Sequence, residues 1–380
     1  MTDRLDVRPV RSRRELKQFI HLPWRIYRDW PLWVPPLIGE MKKTFNPRRN
    51  PFFEHGWIEP TLAWRNGRAV GRIAVIVNHL HNEVHQDKTA FWGFFEAEDD
   101  PEVFKALFDH AAEELSSRGY DRMWGPMNPS INSECGFLVE PFDLPPVLLM
   151  PYNPPYYPQH TEALGHRKCQ DLLGYWIDDP FERANSEPIQ RLRRMAKVAR
   201  RKLPHVTVRT LDRRRLDEDT ASLNALFNKA REHNWGFVPL TDEEFRERVR
   251  EMRMIVDPEF MYLAEADGKV IGCLMGLPDI NPILKKCNGR LLPLGWLHFL
   301  LGRRKCKGAR LFGSALLPEY RQSGALALLF DMLTEKHPDL GYSPLECSWI
   351  AESNQRNLDT LTHLLALEPH KRYRVYTRDI

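Results

Sequence analysis

Much of what would mark a secreted, membrane-spanning or metal-built protein is missing from this chain. Its six cysteines (Cys135, Cys169, Cys273, Cys287, Cys306 and Cys347) are scattered, with no CxxC pair and no zinc-ligand spacing. Neither a disulfide framework nor a metal is therefore expected. No apolar segment follows the opening MTDRLDVRPVRSRRELK, and no eighteen consecutive residues are apolar. A signal peptide and a membrane-spanning helix are not expected either. Charge of one sign is also scarce: the formal net charge is +4 over 380 residues, too weak a field to draw the whole protein to nucleic acid. These absences point to a cytoplasmic protein, at most peripheral at the inner membrane surface.

What is present suffices for well-packed cores, with 42% hydrophobic and 28% charged residues. A chain of 380 residues exceeds one ordinary core, which predicts two domains. Residues Leu5–Val10 read as a strand, and Ser12 with Glu15 has capping-box spacing for a helix. Thr61–Trp64, Asn66-Gly67 and Ala69–Val77 read as a hairpin on an Asn-Gly turn. Strand Thr89–Phe95, helix Pro101–Arg118, strand Asp121–Gly125, a loop rich in Pro and Asn, and strand Lys168–Ile177 complete the first half.

The second half repeats the order. Strand Val206–Thr210 and helix Asp219–His233 precede a second hairpin, Met261–Ala266 and Val270–Pro278, on Asp267-Gly268. Strand Ala309–Leu317, helix Gly324–Lys336, strand Leu345–Ile350, helix Asn357–Leu367 and strand Lys371–Arg378 follow. The reading is an α/β (α+β) duplication, with domains at 1–180 and 204–380 and a linker at 181–203. Within the linker, Gln190–Leu203 is a strongly basic helix. It suits either solvent or a surface of anionic headgroups.

The segment Leu311–Leu333 carries the sharpest chemistry. An apolar strand ends at Pro318, and the turn Glu319-Tyr-Arg-Gln-Ser-Gly324 opens into the apolar helix ALALLFDML. Unpaired N–H groups and the positive dipole end of such a helix suit a pyrophosphate. Gly324 would let backbone approach the ligand, and Arg321 would add charged hydrogen bonds. The run resembles motif A of the GNAT superfamily, Pro-x-x-Arg-x-x-Gly-x-Gly/Ala. Arg321 and Gly324 match, and Leu326 stands where a second small residue is usual.

That resemblance implies two GNAT-like domains in tandem, each a mixed, mostly antiparallel twisted sheet flanked by helices. It implies acyl-CoA as co-substrate, with Leu316, Leu317, Arg321, Gln322, Ser323, Gly324 and Ala325 around its phosphates. Glu346-Cys-Ser-Trp-Ile-Ala-Glu-Ser-Asn354 looks like motif B, whose strand splays from its neighbour to admit the pantetheine arm, with Asn354 near that arm. The family's usual tyrosine is absent, Leu361 falling near its place, while Tyr373 and Tyr376 are available. The first half lacks motif A: Glu96-Ala-Glu-Asp-Asp100 would repel a pyrophosphate, so an acceptor or structural role is expected there.

Acyl transfer to an amine needs a base, for which Glu352 and Glu346 are candidates, with Tyr376 as a further catalytic candidate. Cys347 reads as packing rather than as an acyl carrier. Asn128, Asn132, Tyr152, Asn153, Tyr156, Tyr157 and Trp235 lie in polar, aromatic loops suited to an acceptor pocket. The insertion Leu291–Lys307 joins LLPLGWLHFLL to Arg303-Arg-Lys305 and Lys307, a pattern suited to an anionic membrane surface or to a lid over a lipid.

Strings such as Pro129-Ser-Ile-Asn-Ser-Glu-Cys-Gly136 and Met150-Pro-Tyr-Asn-Pro-Pro-Tyr-Tyr157 resemble a bacterial GNAT-like family similar to the bacterial ceramide synthases. The implied activity is transfer of an acyl group to a lipid amine such as a sphingoid base. A soluble acetyltransferase of a small amine and a catalytically inactive GNAT-like binding protein remain alternatives. Nucleic-acid binding ranks last, for want of interleaved aromatics.

Overall fold

The computed structural model describes all residues except 1–4, 181, 293–294 and 303–304. In chain order the elements begin with β1 (Leu5–Pro9), α1 (Arg13–His21), α2 (Pro23–Ile26), α3 (Ile38–Thr44), β2 (Gly56–Arg65), β3 (Arg68–Asn78) and α4 (His79–His85). Next come β4 (Thr89–Ala97), α5 (Pro101–Ser117), β5 (Arg122–Gly125), β6 (Met127–Asn128), β7 (Glu134–Cys135), β8 (Phe137–Glu140), α6 (Tyr156–Ala163) and β9 (Arg167–Ile177). Then follow α7 (Glu187–Lys202), β10 (Val206–Thr210), α8 (Leu216–Arg231), α9 (Asp242–Met252), β11 (Met261–Ala266) and β12 (Lys269–Pro278). The chain ends with α10 (Asn281–Cys287), α11 (Gly295–Gly302), β13 (Ala309–Leu316), α12 (Ala325–Leu340), β14 (Leu345–Ala351), α13 (Gln355–Asp359) and β15 (Pro369–Asp379).

Contacts divide the chain into two compact units. The first comprises Met1–Leu172, Asn281–Leu301 and Lys371–Ile380; the second comprises Leu173–Ile280 and Gly302–His370. This differs from an end-to-end division near residues 180 and 203, and side chains explain why. Trp24 Nε1 donates to Asn288 Oδ1 at 2.7 Å and Ile38 N to Gly289 O at 2.9 Å, while Asn281 Nδ2 donates to Pro146 O at 2.8 Å. The insertion thus builds on the first unit. The last strand joins the same unit through its pairing with β5, Tyr376 opposite Gly125, and with β8. Asp171 holds it electrostatically, accepting from Arg374 Nε at 2.8 Å and Arg372 Nη1 at 3.0 Å. Burial alone would raise the Asp171 carboxyl, but the two guanidinium groups overcome that and hold it below its ordinary value.

The first unit orders its strands β1-β2-β3-β4-β5-β15 and the second β14-β13-β12-β11-β10. Their hairpins agree in detail. Asn66-Gly67 and Asp267-Gly268 both turn at positive φ, 52° and 76° against 51° and 76°, as a type I′ turn requires. Each hairpin then shifts register at the same place, after Ala63–Gly71 in one and after Ala264–Gly272 in the other. In the first unit α5 buries Phe104, Leu107 and Phe108 against β3 and β4. In the second, α12 packs one face of the sheet and α8 with α9 pack the other.

Candidate functional site

Two strands part at the centre of the second unit. β13 and β14 run parallel and pair only at Ala309–Leu345, Arg310–Glu346 and Leu311–Cys347. Immediately beyond, Phe312 is an extra residue, since Gly276 faces Leu311 while Met275 faces Gly313. A bulge bends its strand, and beyond Leu311 β13 keeps its ladder with β12 but has none with β14. Arg310 bridges the two: its Nε donates to Ser348 O at 3.2 Å and Ser348 Oγ at 3.0 Å, and its Nη2 to Ser348 O at 3.0 Å. An arginine inside an otherwise apolar strand was the sequence signal for this tie.

Beside it, Glu346 is fully buried on β14 and Glu352 lies half-buried just past the strand end. Burial, reinforced by Glu346, pushes the Cys347 thiol up to about 12. Little thiolate exists at neutral pH, so this cysteine packs rather than carries an acyl group.

At the turn into α12, Gly324 has φ 92°, which strongly disfavours a residue with a Cβ. An added Cβ would also stand 2.9 Å from the Ala199 methyl. The glycine thus admits helix α7, whose Leu192, Ala196 and Ala199 pack on α12. Ser323 Oγ accepts from Ala325 N at 3.1 Å and donates to Tyr320 O at 2.7 Å. Arg321 Nη2 donates to Ala230 O at 2.8 Å. Leu316 is buried, Leu317 half-buried and Gln322 exposed, while Leu326 packs against the α12 core. Asn354 caps α13 by accepting from Asn357 N at 3.4 Å.

The residues expected to shape an acceptor pocket are mostly bonded within the first unit. Asn128 Oδ1 accepts from Phe94 N at 2.6 Å, and a Cβ on Gly93 would meet Met127 O at 1.6 Å. Asn153 clamps Leu138, accepting from its N–H at 2.7 Å and donating to its carbonyl at 3.1 Å. Tyr152 donates to Phe142 O at 3.1 Å and Tyr156 to Ala97 O at 3.0 Å. Tyr157 accepts from Ala97 N at 3.0 Å and donates to Glu96 at 2.7 Å. Tyr376 is sealed in the first unit's core, donating to Glu162 at 2.9 Å. Burial, followed by that bond, raises its hydroxyl far above the usual range. Asn132 sits in the loop before β7, and Trp235, half-buried, follows α8 in the second unit. The acidic turn is internally neutralised: Glu98 pairs with Arg25 at 3.1 Å and Arg68 at 2.9 Å, and Asp100 with Arg65.

One residue beside the bulge escaped the sequence reading. Arg231, at the end of α8, reaches to 3.6 Å from where a Gly313 Cβ would lie, and its guanidinium stacks 4.4 Å from the Phe227 ring. Its sequence setting, NKAREHNWGF, is that of an ordinary helix end.

No family model matches the chain. Protein YghO of Escherichia coli is 35% identical over 381 residues, covering 98% of this chain and 95% of that protein. The bacterial ceramide synthase of Caulobacter vibrioides is 35% identical over 389 residues, covering 98% and 97%. Among solved structures, a tandem GNAT protein from the clavulanic acid biosynthesis pathway superposes with a TM-score of 0.55 at 14% identity, covering 99% and 98%. A GCN5-related N-acetyltransferase from Sphaerobacter thermophilus gives 0.50 at 13%, covering 100% and 96%. These structural likenesses speak for the fold, and the two full-length relatives for kinship. With its duplicated hairpins and paired bulges, the chain has a tandem GNAT fold and belongs to the family of these two full-length relatives, YghO and the bacterial ceramide synthase.

Proposed function

We propose that this protein transfers a long acyl group from acyl-CoA to the primary amine of a lipid, a sphingoid base being the best specific candidate, at an anionic membrane surface. The observation that carries the lipid reading is the outer side of α11 and its approach. Leu292 is 75% exposed and Leu301 65%, with Leu291, Trp296, Leu297 and Leu300 also open to solvent. At roughly 25 cal/mol per Å², apolar area of this kind favours transfer out of water. Such patches mark contact sites on a folded surface. Exposed Lys285, Lys286 and Arg290 border it, matching apolar side chains in lipid with cations on headgroups. Arg303 and Arg304, part of the expected cationic end, lie outside the described residues. On α7, exposed Met195 and Val198 stand among Arg191, Arg194, Lys197 and Arg201, a second face of the same chemistry. No helix among the described residues is long and apolar enough to cross a membrane.

The name of the Caulobacter relative supports the sphingoid choice. In this reading the acyl arm enters where β13 leaves β14, the donor phosphates lie at Arg321–Ala325, and Glu352 or Glu346 takes the amine proton. A scaffold reading has two observations in its favour: Arg321 is already engaged with Ala230 O, and Gly324 stands against α7.

The test is to incubate the protein with acyl-CoAs of increasing length and a sphingoid base on anionic vesicles, and to detect the amide by mass spectrometry. Product that grows with chain length is expected. Product from acetyl-CoA and small amines alone would move the assignment to a soluble acetyltransferase. No product and no acyl-CoA binding would leave the scaffold.

A further inference from the structure

Arg231 is the least explained charge of the second unit. Its side chain is half-buried, and desolvation, opposed by the nearby Cys273 thiol and aided by Arg248, holds the guanidinium below its ordinary value. Among the described residues no ion pair involves it, and it faces the Phe227 ring, the strand at Gly313 and the Cys273 thiol. Arg248, by contrast, has Glu251 and Glu244 nearby. A partly desolvated cation with no carboxylate partner is well placed to meet negative charge that forms transiently.

Its position fits that use. Gly313 stands just past the bulge where β13–β14 pairing stops. With no side chain there, Met275, Phe227 and Arg231 close over bare backbone. The first unit offers a contrast at its own bulge. Gly93 faces Ala74, which stands as far from its turn glycine as Met275 does from Gly268. There the Met127 carbonyl and the Asn128 amide cover the strand, and no cation takes part in those contacts.

We propose that Arg231 is a catalytic residue that stabilises the oxyanion of the acyl-transfer intermediate; this rests on the acyl-transfer reading above. The amine nitrogen forms a bond to the thioester carbonyl carbon, and the C=O π pair moves onto oxygen, facing the guanidinium. Return of that pair breaks the C–S bond. The departing thiolate takes up the proton that the amine loses through the base, giving amide and free thiol.

The experiment compares wild type, Arg231→Met and Arg231→Lys in steady-state transfer from a long-chain acyl-CoA to a sphingoid base, with thermal melting and acyl-CoA binding measured alongside. Loss of a preorganised oxyanion donor lowers kcat by roughly 100-fold or more. Arg231→Met is therefore expected to lose kcat on that scale. Its KM for both substrates and its acyl-CoA affinity should stay within a few-fold of wild type, and Arg231→Lys should recover part of the rate. An active Arg231→Met variant, or one that changes only the acceptor KM, overturns the assignment while leaving the acyl-transfer reading intact. A wild-type protein with no transfer at all overturns both.

Discussion

The two units share a register and differ in what covers it. Each has a hairpin on a positive-φ turn, a shift after the small pair Ala63–Gly71 or Ala264–Gly272, and a strand that bulges as it leaves its parallel neighbour. In the first unit the chain fills the resulting space itself. Met127 backbone lies on Gly93, Asn128 takes the Phe94 N–H, and the acidic turn before α5 is spent on Arg25, Arg65 and Arg68. In the second unit the corresponding region is faced by side chains, among them an uncompensated arginine. A duplicated fold keeps its hydrogen-bond geometry because the sheet requires it. On the proposed function, the chemistry sits where the chain does not cover its own bulge.

The strongest way to break the comparison is to detach the strand that the first unit takes from the end of the chain. Asp171→Ala leaves Arg372 and Arg374 without their shared carboxylate and is expected to destabilise the first unit by roughly 3 kcal/mol. Chemical denaturation followed by hydrogen exchange should show β5, β8 and β15 losing protection together. Protection lost instead in β10–β12 would contradict the strand's assignment.

Gly324→Ala sharpens the contrast between the helix starts. The first unit's α5 begins at Asp100 with φ −149°, open to any residue, whereas Gly324 sits at φ 92° against Ala199. A loss of about 2 kcal/mol is expected from the left-handed backbone and the contact with α7. Thermal melting checks it, and an unchanged Tm would remove the packing role given to this glycine.

A smaller effect separates the units by pH. Burial, with Arg378 nearby, pushes His166 of the first unit down to about 3 from 6.5. The folded form keeps this ring neutral while the unfolded chain protonates it. Its stabilising contribution is therefore full above pH 6.5 and falls away as pH drops towards the folded value, by about 2 kcal/mol at pH 5. Unfolding of the first unit measured between pH 7 and 5 should show this slope, and His166→Asn should flatten it. An equal slope in the variant would place the sensitivity elsewhere.

Much of the fold was legible because its signals are local. The Asn-Gly and Asp-Gly turns fix both hairpins, and Ser12 with Glu15 does cap α1. Helix α9 went unread although Thr241 and Glu244 form a capping box, because its largely charged sequence shows little apolar periodicity. The fate of β15 was not legible. Its alternation of Tyr373 and Val375 inward suits either unit, and the choice rests on Asp171, some two hundred residues away along the chain.

The candidate site divides in the same way. The strand–turn–helix at Pro318–Ala325 was visible, but the partners of Arg321 and Gly324 come from distant helices. Tyr152, Asn153, Tyr156 and Tyr157 have the composition of a binding loop and the bonding of a scaffold. Composition cannot distinguish those, since both need aromatic groups with polar ends. Arg231 was silent because a charge at a helix end is ordinary until its neighbours, Phe227 and the strand at Gly313, are known.

The central claim, that the acyl donor is taken by the second unit alone, is tested most directly by photo-crosslinking. A long-chain acyl-CoA with a photoreactive group on the acyl chain is irradiated with the protein, and the labelled peptides are mapped. Label within 309–354 and in the α8 end around Arg231, displaced by excess unlabelled acyl-CoA, is the predicted result. Displaceable label within 89–128 would contradict it.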